Sequence, residues 1–449
     1  AAEADQFGTS FACALHREAT FQNSLKEGDA YTKFFHLQAC HRSRKNIIPT
    51  FEHQGTWVSE KRAKSDAIFQ YFNDILGKPF QRQHFIVLHD LLPQVDLSGI
   101  DNCFSEQEVW EAVKDLPGDR APGPDGFNGD FYKAAWPVIK ADVLNALNAV
   151  WSLDGQSLYL LNDALMILLR KHNAPSTLKD YRPIALVHSF GKLLTKCLAR
   201  RFAPRLSEMV AQSQSAFIKG RLIHDNFRTV QLACKWLHAN KSPSLLLKID
   251  IAKAFDSVSW AFLLEVLQRI GFSRRWMDWI ALILSTASTR VLVNGRPSRR
   301  IAHIRELRQG DPISPMLFIL VMEVLSSLIR EADRRLVLTA RAALYADDLV
   351  VLLAPTEHDL SCLAAILDLF AGASGLMVNQ NKCTATPIQC DEDAVAAVLQ
   401  TFPCPIKEFP CKYLGTPLSL RRLRHADEQP LVDAVATRLP TWKAGLLNM

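Results

Sequence analysis

Apolar residues recur along the chain with helical spacing in some segments and in short unbroken runs in others. A spacing of about three to four residues predicts a helix, whereas a short apolar run between turn formers predicts a buried strand. Helices are therefore predicted over residues 105–116, 131–150, 190–206, 260–270, 312–334 and 357–373. Strands are predicted over residues 165–169, 181–187, 245–250, 290–293 and on both sides of residues 345–348. Together these elements predict a mixed α+β fold.

The N-terminal part of the chain has a weaker pattern. Residues 11–75 combine helical patterning with a basic patch at residues 33–45, which predicts a helical extension. Residues 76–104 carry few periodic signals and contain Pro79 and Pro93, so this segment is predicted to be a linker.

Two adjacent carboxylates interrupt an apolar run at the tip of a predicted hairpin. Asp347 and Asp348 follow Tyr345 and Ala346 and precede five apolar residues, and another predicted strand ends at Asp250. Like charges raise one another's pKa, and half-buried carboxylates resist ionisation unless a cation neutralises them. Carboxylates delivered from separate strand ends are what a two-metal phosphoryl-transfer site needs. The pattern indicates nucleic acid polymerase chemistry, with Asp250 expected within about 10 Å of Asp347.

Composition excludes several classes of protein. The chain has 449 residues, of which 48% are hydrophobic and 22% charged, and this balance excludes a disordered protein. No apolar run reaches the ~18 residues of a membrane span, and the N-terminus lacks a signal peptide pattern. The ten cysteines include no Cys-x-x-Cys pair, which favours buried thiols in a reducing intracellular setting. Since the chain begins at Ala1 rather than Met, we expect a fragment or a processed product.

Charge is distributed unevenly along the chain. The net charge is +6, yet residues 170–228 alone carry twelve Lys and Arg against three Asp and Glu. One interpretation is a solvated helical face. Because aromatic residues are interleaved with these cations, a nucleic-acid surface is the other interpretation, and both stay open.

An ordered set of motifs carries a resemblance to a known family. The motifs read APGPDGF at 121–127, DYRPI at 180–184, QSAF at 214–217, KIDIAKAFD at 248–256, RQGDPISP at 308–315, YADD at 345–348 and YLGTPL at 413–418. In this order they resemble the reverse transcriptases of non-LTR (LINE-type) retrotransposons, most of all those of the plant lineage.

The resemblance implies a right-hand polymerase with fingers, palm and a partial thumb. The implied divisions are an N-terminal extension and linker at 1–104, fingers at 105–240, a palm at 241–395 and the start of a truncated thumb at 396–449. It implies an RNA-directed DNA polymerase that copies element RNA from a nicked DNA 3′-end. The implied partners are RNA template, DNA primer or target and deoxynucleoside triphosphates, with no membrane, in the nucleus and cytoplasm. The oligomeric state stays open.

By the same resemblance the metal site consists of three carboxylates. Asp250 and Asp347 are expected to bind two Mg²⁺ ions about 3.5–4 Å apart, with Mn²⁺ as a substitute. Asp348 is expected to support them in the metal site, or else to shape the turn. Asp256 is left out of the site and is predicted to be a helix N-cap.

Three residues are expected around the nucleotide. Phe255 is expected beneath the sugar, where it would exclude a ribose 2′-hydroxyl, and its alternative is a core aromatic. Gln309 and Gly310 are expected in the loop beside the nucleotide, where Gln can hydrogen-bond and Gly allows close backbone approach.

Four basic residues complete the predicted site. Arg182 and Lys171 are expected to meet the triphosphate from the fingers, where fixed positive charge stabilises the charge that develops in transfer. Arg221 is expected on the template path. Lys382 is either a proton donor to the leaving pyrophosphate or a solvated lysine.

Three alternatives to an active retrotransposon polymerase remain. The first is a catalytically silent scaffold that binds nucleic acid, although the retained carboxylates argue against it. The second is a decayed relic that lacks most of its thumb. The third is a group II intron-type maturase, which shares the palm motifs but lacks the YLGTPL block in this form.

Overall fold

The computed structural model describes residues 47–118, 121–153, 158–172 and 174–436. The predicted basic patch at 33–45 and the last part of the predicted thumb, residues 437–449, lie outside the described residues. Residues 48–409 form one compact unit, and residues 410–436 belong to a second.

The described residues form both helices and strands, which are numbered here in chain order. The helices are α1 (Lys61–Leu76), α2 (Glu106–Lys114), α3 (Gly129–Trp151), α4 (Leu158–Leu161), α5 (Ser189–Phe202), α6 (Leu206–Met209), α7 (Ile223–Ala239), α8 (Ala254–Ser257), α9 (Trp260–Ile270), α10 (Arg274–Ser285), α11 (Ser314–Arg334), α12 (Glu357–Ser374), α13 (Glu392–Val398) and α14 (His425–Ala436). The strands are β1 (Phe51–His53), β2 (Thr56–Val58), β3 (Asp163–Arg170), β4 (Tyr181–Leu186), β5 (Ser244–Asp250), β6 (Ser288–Val293), β7 (Arg296–Pro297), β8 (Ile301–Ala302), β9 (Ala340–Tyr345), β10 (Asp348–Leu353), β11 (Thr384–Ile388), β12 (Cys411–Tyr413) and β13 (Thr416–Leu418). The fold is therefore α+β, as predicted.

One sheet carries the predicted catalytic carboxylates. Its strand order is β11-β5-β10-β9, and each neighbouring pair is antiparallel. Most side chains of the central strands β5 and β10 are buried, as their nearly continuous apolar runs predict. The long apolar helix α11 packs against β9 and α12. The strands predicted at 245–250 and around 345–348 are confirmed.

A second sheet joins segments that the sequence assigned to different subdomains. Its order is β4-β3-β6-β7, with β8 also paired to β6. Strands β3 and β4 are antiparallel, whereas β3 and β6 are parallel. Since β3 lies in the predicted fingers and β6 in the predicted palm, the boundary at 240/241 does not separate two compact units.

The segment predicted as a linker, residues 76–104, packs against the core after α1 ends at Leu76. Residues 77–104 contain no helix or strand, but five of their apolar side chains are buried in the main core. These are Leu88, Leu92, Leu97, Ile100 and Phe104. The Val95 N–H also donates to the Ile270 carbonyl at 2.7 Å, and the Arg201 guanidinium donates to three carbonyls between residues 100 and 103. Packing here is set by long-range partners, which periodicity does not reveal.

Two helix predictions differ in detail from the structure. Helix α5 ends at Phe202 rather than Leu206, because Pro204 cannot donate the next helical hydrogen bond and a 3₁₀ turn follows. The helix predicted at 131–150 begins at Gly129, and its residue Phe131 is exposed and stacks on Phe127 with 4.2 Å between ring centroids. The other predicted helices are confirmed within a few residues.

The second unit contains a small hairpin and a helix. Strands β12 and β13 pair through a turn in which Leu414 and Gly415 both have positive φ. The side chain of Tyr413 is buried, and α14 follows after a short loop.

Candidate active site

The YADD motif forms a two-residue turn between β9 and β10. Tyr345 and Asp348 are paired residues at the ends of the two strands, so Ala346 and Asp347 form the loop. Ala346 has φ +57°, in the left-handed region that such tight hairpin loops require. Asp347 therefore stands at the tip of the hairpin.

Asp250 lies beside this turn on the neighbouring strand. The register pairs Asp250 at the end of β5 directly with Asp348 at the start of β10. Opposed residues in antiparallel strands have Cα atoms about 4.5–5.5 Å apart, and consecutive Cα atoms are about 3.8 Å apart. The Cα atoms of Asp250 and Asp347 are therefore less than about 10 Å apart, as expected.

Two lysines face the three carboxylates. The Lys382 Nζ lies 3.5 Å from an Asp250 oxygen, and the Lys248 Nζ lies 3.3 Å from an Asp348 oxygen. Partial desolvation raises the pKa of Asp347, and the negative charges of Asp348 and Asp250 raise it further, while Lys382 acts in the opposite direction. A cation between Asp250 and Asp347 would relieve this repulsion.

The carboxylates do not form a closed metal cage. Within the described ranges, no three His, Cys, Asp or Glu side chains are arranged to hold a metal ion. Asp348 is paired with Lys248 as Asp250 is with Lys382, and a metal role for Asp348 stays a prediction. Mg²⁺ in phosphate-transfer sites is usually held by one or two carboxylates plus substrate phosphates. Asp250 and Asp347 therefore fit an open divalent-cation site.

Phe255 lies in α8, five residues after β5 ends. It is half-buried and stacks on Phe318 of α11, with 4.5 Å between ring centroids and 21° between ring planes. One part of the ring is thus core and another is accessible, so both interpretations of Phe255 retain support.

Gln309 and Gly310 are exposed in the loop before α11. The Gln309 side-chain amide donates to the Asp256 carboxylate at 3.3 Å, which brings this loop to α8. Gly310 has φ +96°, and a Cβ there would meet no protein atom within 4 Å. A glycine is therefore favoured at position 310 by its positive φ, and not by the close approach of another protein segment.

The prediction that Asp256 is an N-cap is wrong. Asp256 lies within α8, and the N-cap of the next helix is Ser259, whose hydroxyl accepts from the Phe262 N–H. Burial raises the pKa of Asp256 to about 6, while Lys253, the hydrogen bond from Gln309 and Lys171 oppose the shift. The N-cap prediction placed the helix start too late, because α8 begins at Ala254, directly after Lys253 at φ +48°.

Lys171 and Arg182 lie on the adjacent ends of β3 and β4. Lys171 is exposed, its Nζ donates to the Lys179 carbonyl at 2.5 Å, and its charge acts on Asp256. Arg182 pairs with Leu169 in the sheet and is exposed, with no ion pair to another described residue. Lys171 is thereby linked to the α8 end of the site, and Arg182 is free to meet a ligand.

The Arg221 guanidinium is bonded within the fold. Its guanidinium nitrogens donate to the backbone carbonyls of Ala211 at 2.5 Å, Gln214 at 2.7 Å and Val210 at 3.1 Å. Desolvation also lowers the pKa of Arg221, with Glu323 opposing the shift. Several donors of this side chain are thus engaged within the fold, and template binding by Arg221 stays a prediction.

Two more cations of the 170–228 stretch form ion pairs within the fold. Arg201 forms a bidentate pair with Glu108 at 2.5 and 2.7 Å, and Arg200 pairs with Asp115. These contacts fasten α5 to α2. The stretch is therefore neither one continuous nucleic-acid surface nor one solvated face.

The amino-acid sequence is similar to known proteins. Residues 169–418 match the family model described as reverse transcriptase (RNA-dependent DNA polymerase). The chain is 26% identical over 449 residues to the transposon TX1 uncharacterized 149 kDa protein of Xenopus laevis, covering 95% of this chain and 33% of that protein. It is 28% identical over 330 residues to the retrovirus-related Pol polyprotein from type-2 retrotransposable element R2DM of Drosophila melanogaster, covering 69% of this chain and 30% of that protein.

A shorter match has higher identity. It joins 44 residues to an uncharacterized mitochondrial protein of Arabidopsis thaliana at 52% identity, covering 10% of this chain and 36% of that protein. The chain spans about a third of the length of the Xenopus and Drosophila relatives. Among the described helices, none combines the length and apolar character needed to cross a bilayer.

Proposed function

The chain belongs to the reverse transcriptase (RNA-dependent DNA polymerase) family as the reverse transcriptase domain of a non-LTR retrotransposon, and we propose that it copies element RNA into DNA. One observation carries the proposal most strongly. The strand register sets Asp250 opposite Asp348 and beside the turn residue Asp347. The sheet thereby delivers carboxylates from two strand ends to one point, as nucleotidyl transfer requires.

In the proposed reaction, Asp250 and Asp347 hold divalent cations, Mg²⁺ or alternatively Mn²⁺. When bound, these ions would favour deprotonation of the primer 3′-hydroxyl and neutralise the triphosphate. Asp348 keeps its pair with Lys248 and so supports the turn. Lys382, whose Nζ lies 3.5 Å from an Asp250 oxygen, would donate a proton to the leaving pyrophosphate.

In this proposal the nucleotide lies between α8 and the sheet formed by β4, β3, β6 and β7. The accessible part of Phe255 meets the sugar, while Gln309 and Gly310 line the opposite side. Lys171 and Arg182 meet the triphosphate, where fixed cations stabilise developing negative charge. The support is that Gln309 contacts Asp256 and the charge of Lys171 reaches the same carboxyl.

Template contact is assigned to Phe217 and Lys219 in addition to Arg221. Phe217 has φ +59° and is 52% exposed, and Lys219 is exposed two residues later. An exposed aromatic ring beside a cation suits a base and its phosphate. The other proposed partners are a nicked DNA target as primer and deoxynucleoside triphosphates, in the nucleus and cytoplasm. The plant lineage is proposed from the Arabidopsis match.

Primer extension on an RNA template with Mg²⁺ tests the function. Asp347→Asn should lower kcat by at least about 100-fold, because a lost metal ligand removes several kcal/mol of transition-state stabilisation. The matched control is Asp368→Asn, since Asp368 is a highly exposed carboxylate on α12 and should not affect extension. RNA binding without extension by the wild-type chain would instead favour the silent scaffold.

A further inference from the structure

Gln214 is buried beside the catalytic turn. Only 1% of the residue is exposed, and its Oε1 accepts from the Ala346 N–H at 3.1 Å and from the Ala216 N–H at 3.0 Å. Because two backbone N–H groups point at this atom, it must be the amide oxygen. The side chain thus links the QSAF segment to the residue immediately before Asp347.

The Ala346 N–H needs such a partner. Ala346 lies beyond the last paired residue of β9, so no strand supplies an acceptor for it. Its left-handed conformation costs a non-glycine residue about 1–2 kcal/mol and persists where surrounding contacts fix it. The bond from Gln214 holds both the amide and the conformation of this turn residue.

The segment that carries Gln214 is itself held on both sides. Ser213 accepts from the Leu344 N–H at 2.9 Å, and the Ser215 N–H donates to the Leu344 carbonyl at 3.2 Å. Gln214 therefore forms a parallel bridge with β9. On the other side, Arg221 donates to the Gln214 carbonyl at 2.7 Å. Because these contacts fix the position of the Gln214 backbone, they also fix the position from which its side chain contacts the turn.

We propose that Gln214 is a positioning residue that fixes the Tyr345–Asp348 turn, and hence the Asp347 carboxylate, through its hydrogen bond to the Ala346 N–H. Gln214 contacts no substrate in this assignment. The inference rests on the proposed polymerase function, since positioning Asp347 matters for the cations that it would hold. Arg221 acts one step further away, by holding the Gln214 backbone.

The test compares Gln214→Met, which keeps the length but lacks the acceptor, with Gln214→Glu. A buried Glu is expected to be neutral and to keep an acceptor oxygen. The comparison variant is Asn226→Leu, because Asn226 is another buried amide, whose side chain donates to the Leu344 carbonyl at 2.7 Å and to the Ser213 carbonyl at 3.3 Å. All variants are made in the full chain, and thermal unfolding reports any general loss of stability.

Two measurements are made on each variant. Amide hydrogen exchange, without metal or nucleic acid, should be at least about 10-fold faster at residues 345–348 in Gln214→Met and near wild type in Gln214→Glu and Asn226→Leu. In primer extension, Gln214→Met should lower kcat by about 10-fold or more and raise the half-saturating Mg²⁺ concentration, with little change in nucleotide KM.

The outcomes separate this inference from the proposed function. Unchanged exchange at 345–348 in Gln214→Met overturns the inference, and so does a kcat that falls no further than in Asn226→Leu. A wild-type chain that does not extend primers refutes the polymerase function. The exchange measurement then decides alone whether Gln214 fixes the turn.

Discussion

Replacing Phe255 with Ala distinguishes a sugar gate from a core aromatic. A fully buried Phe→Ala change costs about 3–5 kcal/mol, so the half-buried Phe255 should cost roughly 2 kcal/mol, including its stack on Phe318. If the ring also blocks a 2′-hydroxyl, its loss removes a clash worth about 1–3 kcal/mol. The preference for deoxynucleotides over ribonucleotides should then fall by about 10-fold or more.

The assay is single-nucleotide incorporation, with kcat/KM measured for a deoxynucleotide and for the matching ribonucleotide. Phe318→Leu is the control, because Phe318 is fully buried and its loss disturbs the same stack without opening the sugar side. Unchanged sugar discrimination in Phe255→Ala would refute the gate. An equal loss of discrimination in both variants would assign the effect to packing.

The remaining predictions concern the loop around Gln309. Arg308→Met should lower the free energy of unfolding by about 3–5 kcal/mol in a denaturant titration. The reason is that buried Arg308 donates to Asn162 Oδ1 at 2.5 Å and faces Asp311 and Glu306. An unchanged denaturation midpoint would contradict this prediction. The raised pKa of Asp256 means that the folded state binds a proton more readily than the unfolded state. Relative to Asp256→Asn, the wild-type free energy of unfolding should therefore fall as pH rises from 3.8 to about 6, and a flat difference would refute the shift.

Local pattern was sufficient for the strands and turn that carry the carboxylates. The apolar strands β5 and β10 are neighbours in the middle of the sheet. Their pairing sets Asp250, at the end of β5, beside the turn. The α+β class and most helix positions followed from periodicity. The roles of the site residues remain predictions.

Long-range packing decided what the sequence could not show. Basic residues look alike in a sequence, yet Arg182 is exposed whereas Arg221 donates to backbone carbonyls. Residues 77–104 lack periodicity because their apolar side chains fill gaps in a core built by other segments. Asp256 was misplaced because the sharp turn at Lys253 is a conformation that a lysine rarely adopts.

Two buried polar side chains connect the catalytic elements to distant segments. Gln214 reaches Ala346 across 132 positions of sequence, and Arg308 reaches Asn162 across 146. Both contacts run from the predicted palm, residues 241–395, to partners in the predicted fingers. A buried polar group without its partner costs about 1–3 kcal/mol. Residues 241–395 alone would therefore leave the Ala346 N–H and the Arg308 guanidinium without these partners. The sheet supplies the carboxylates, but the conformations of the turn and of the Gln309 loop depend on residues that contact no substrate.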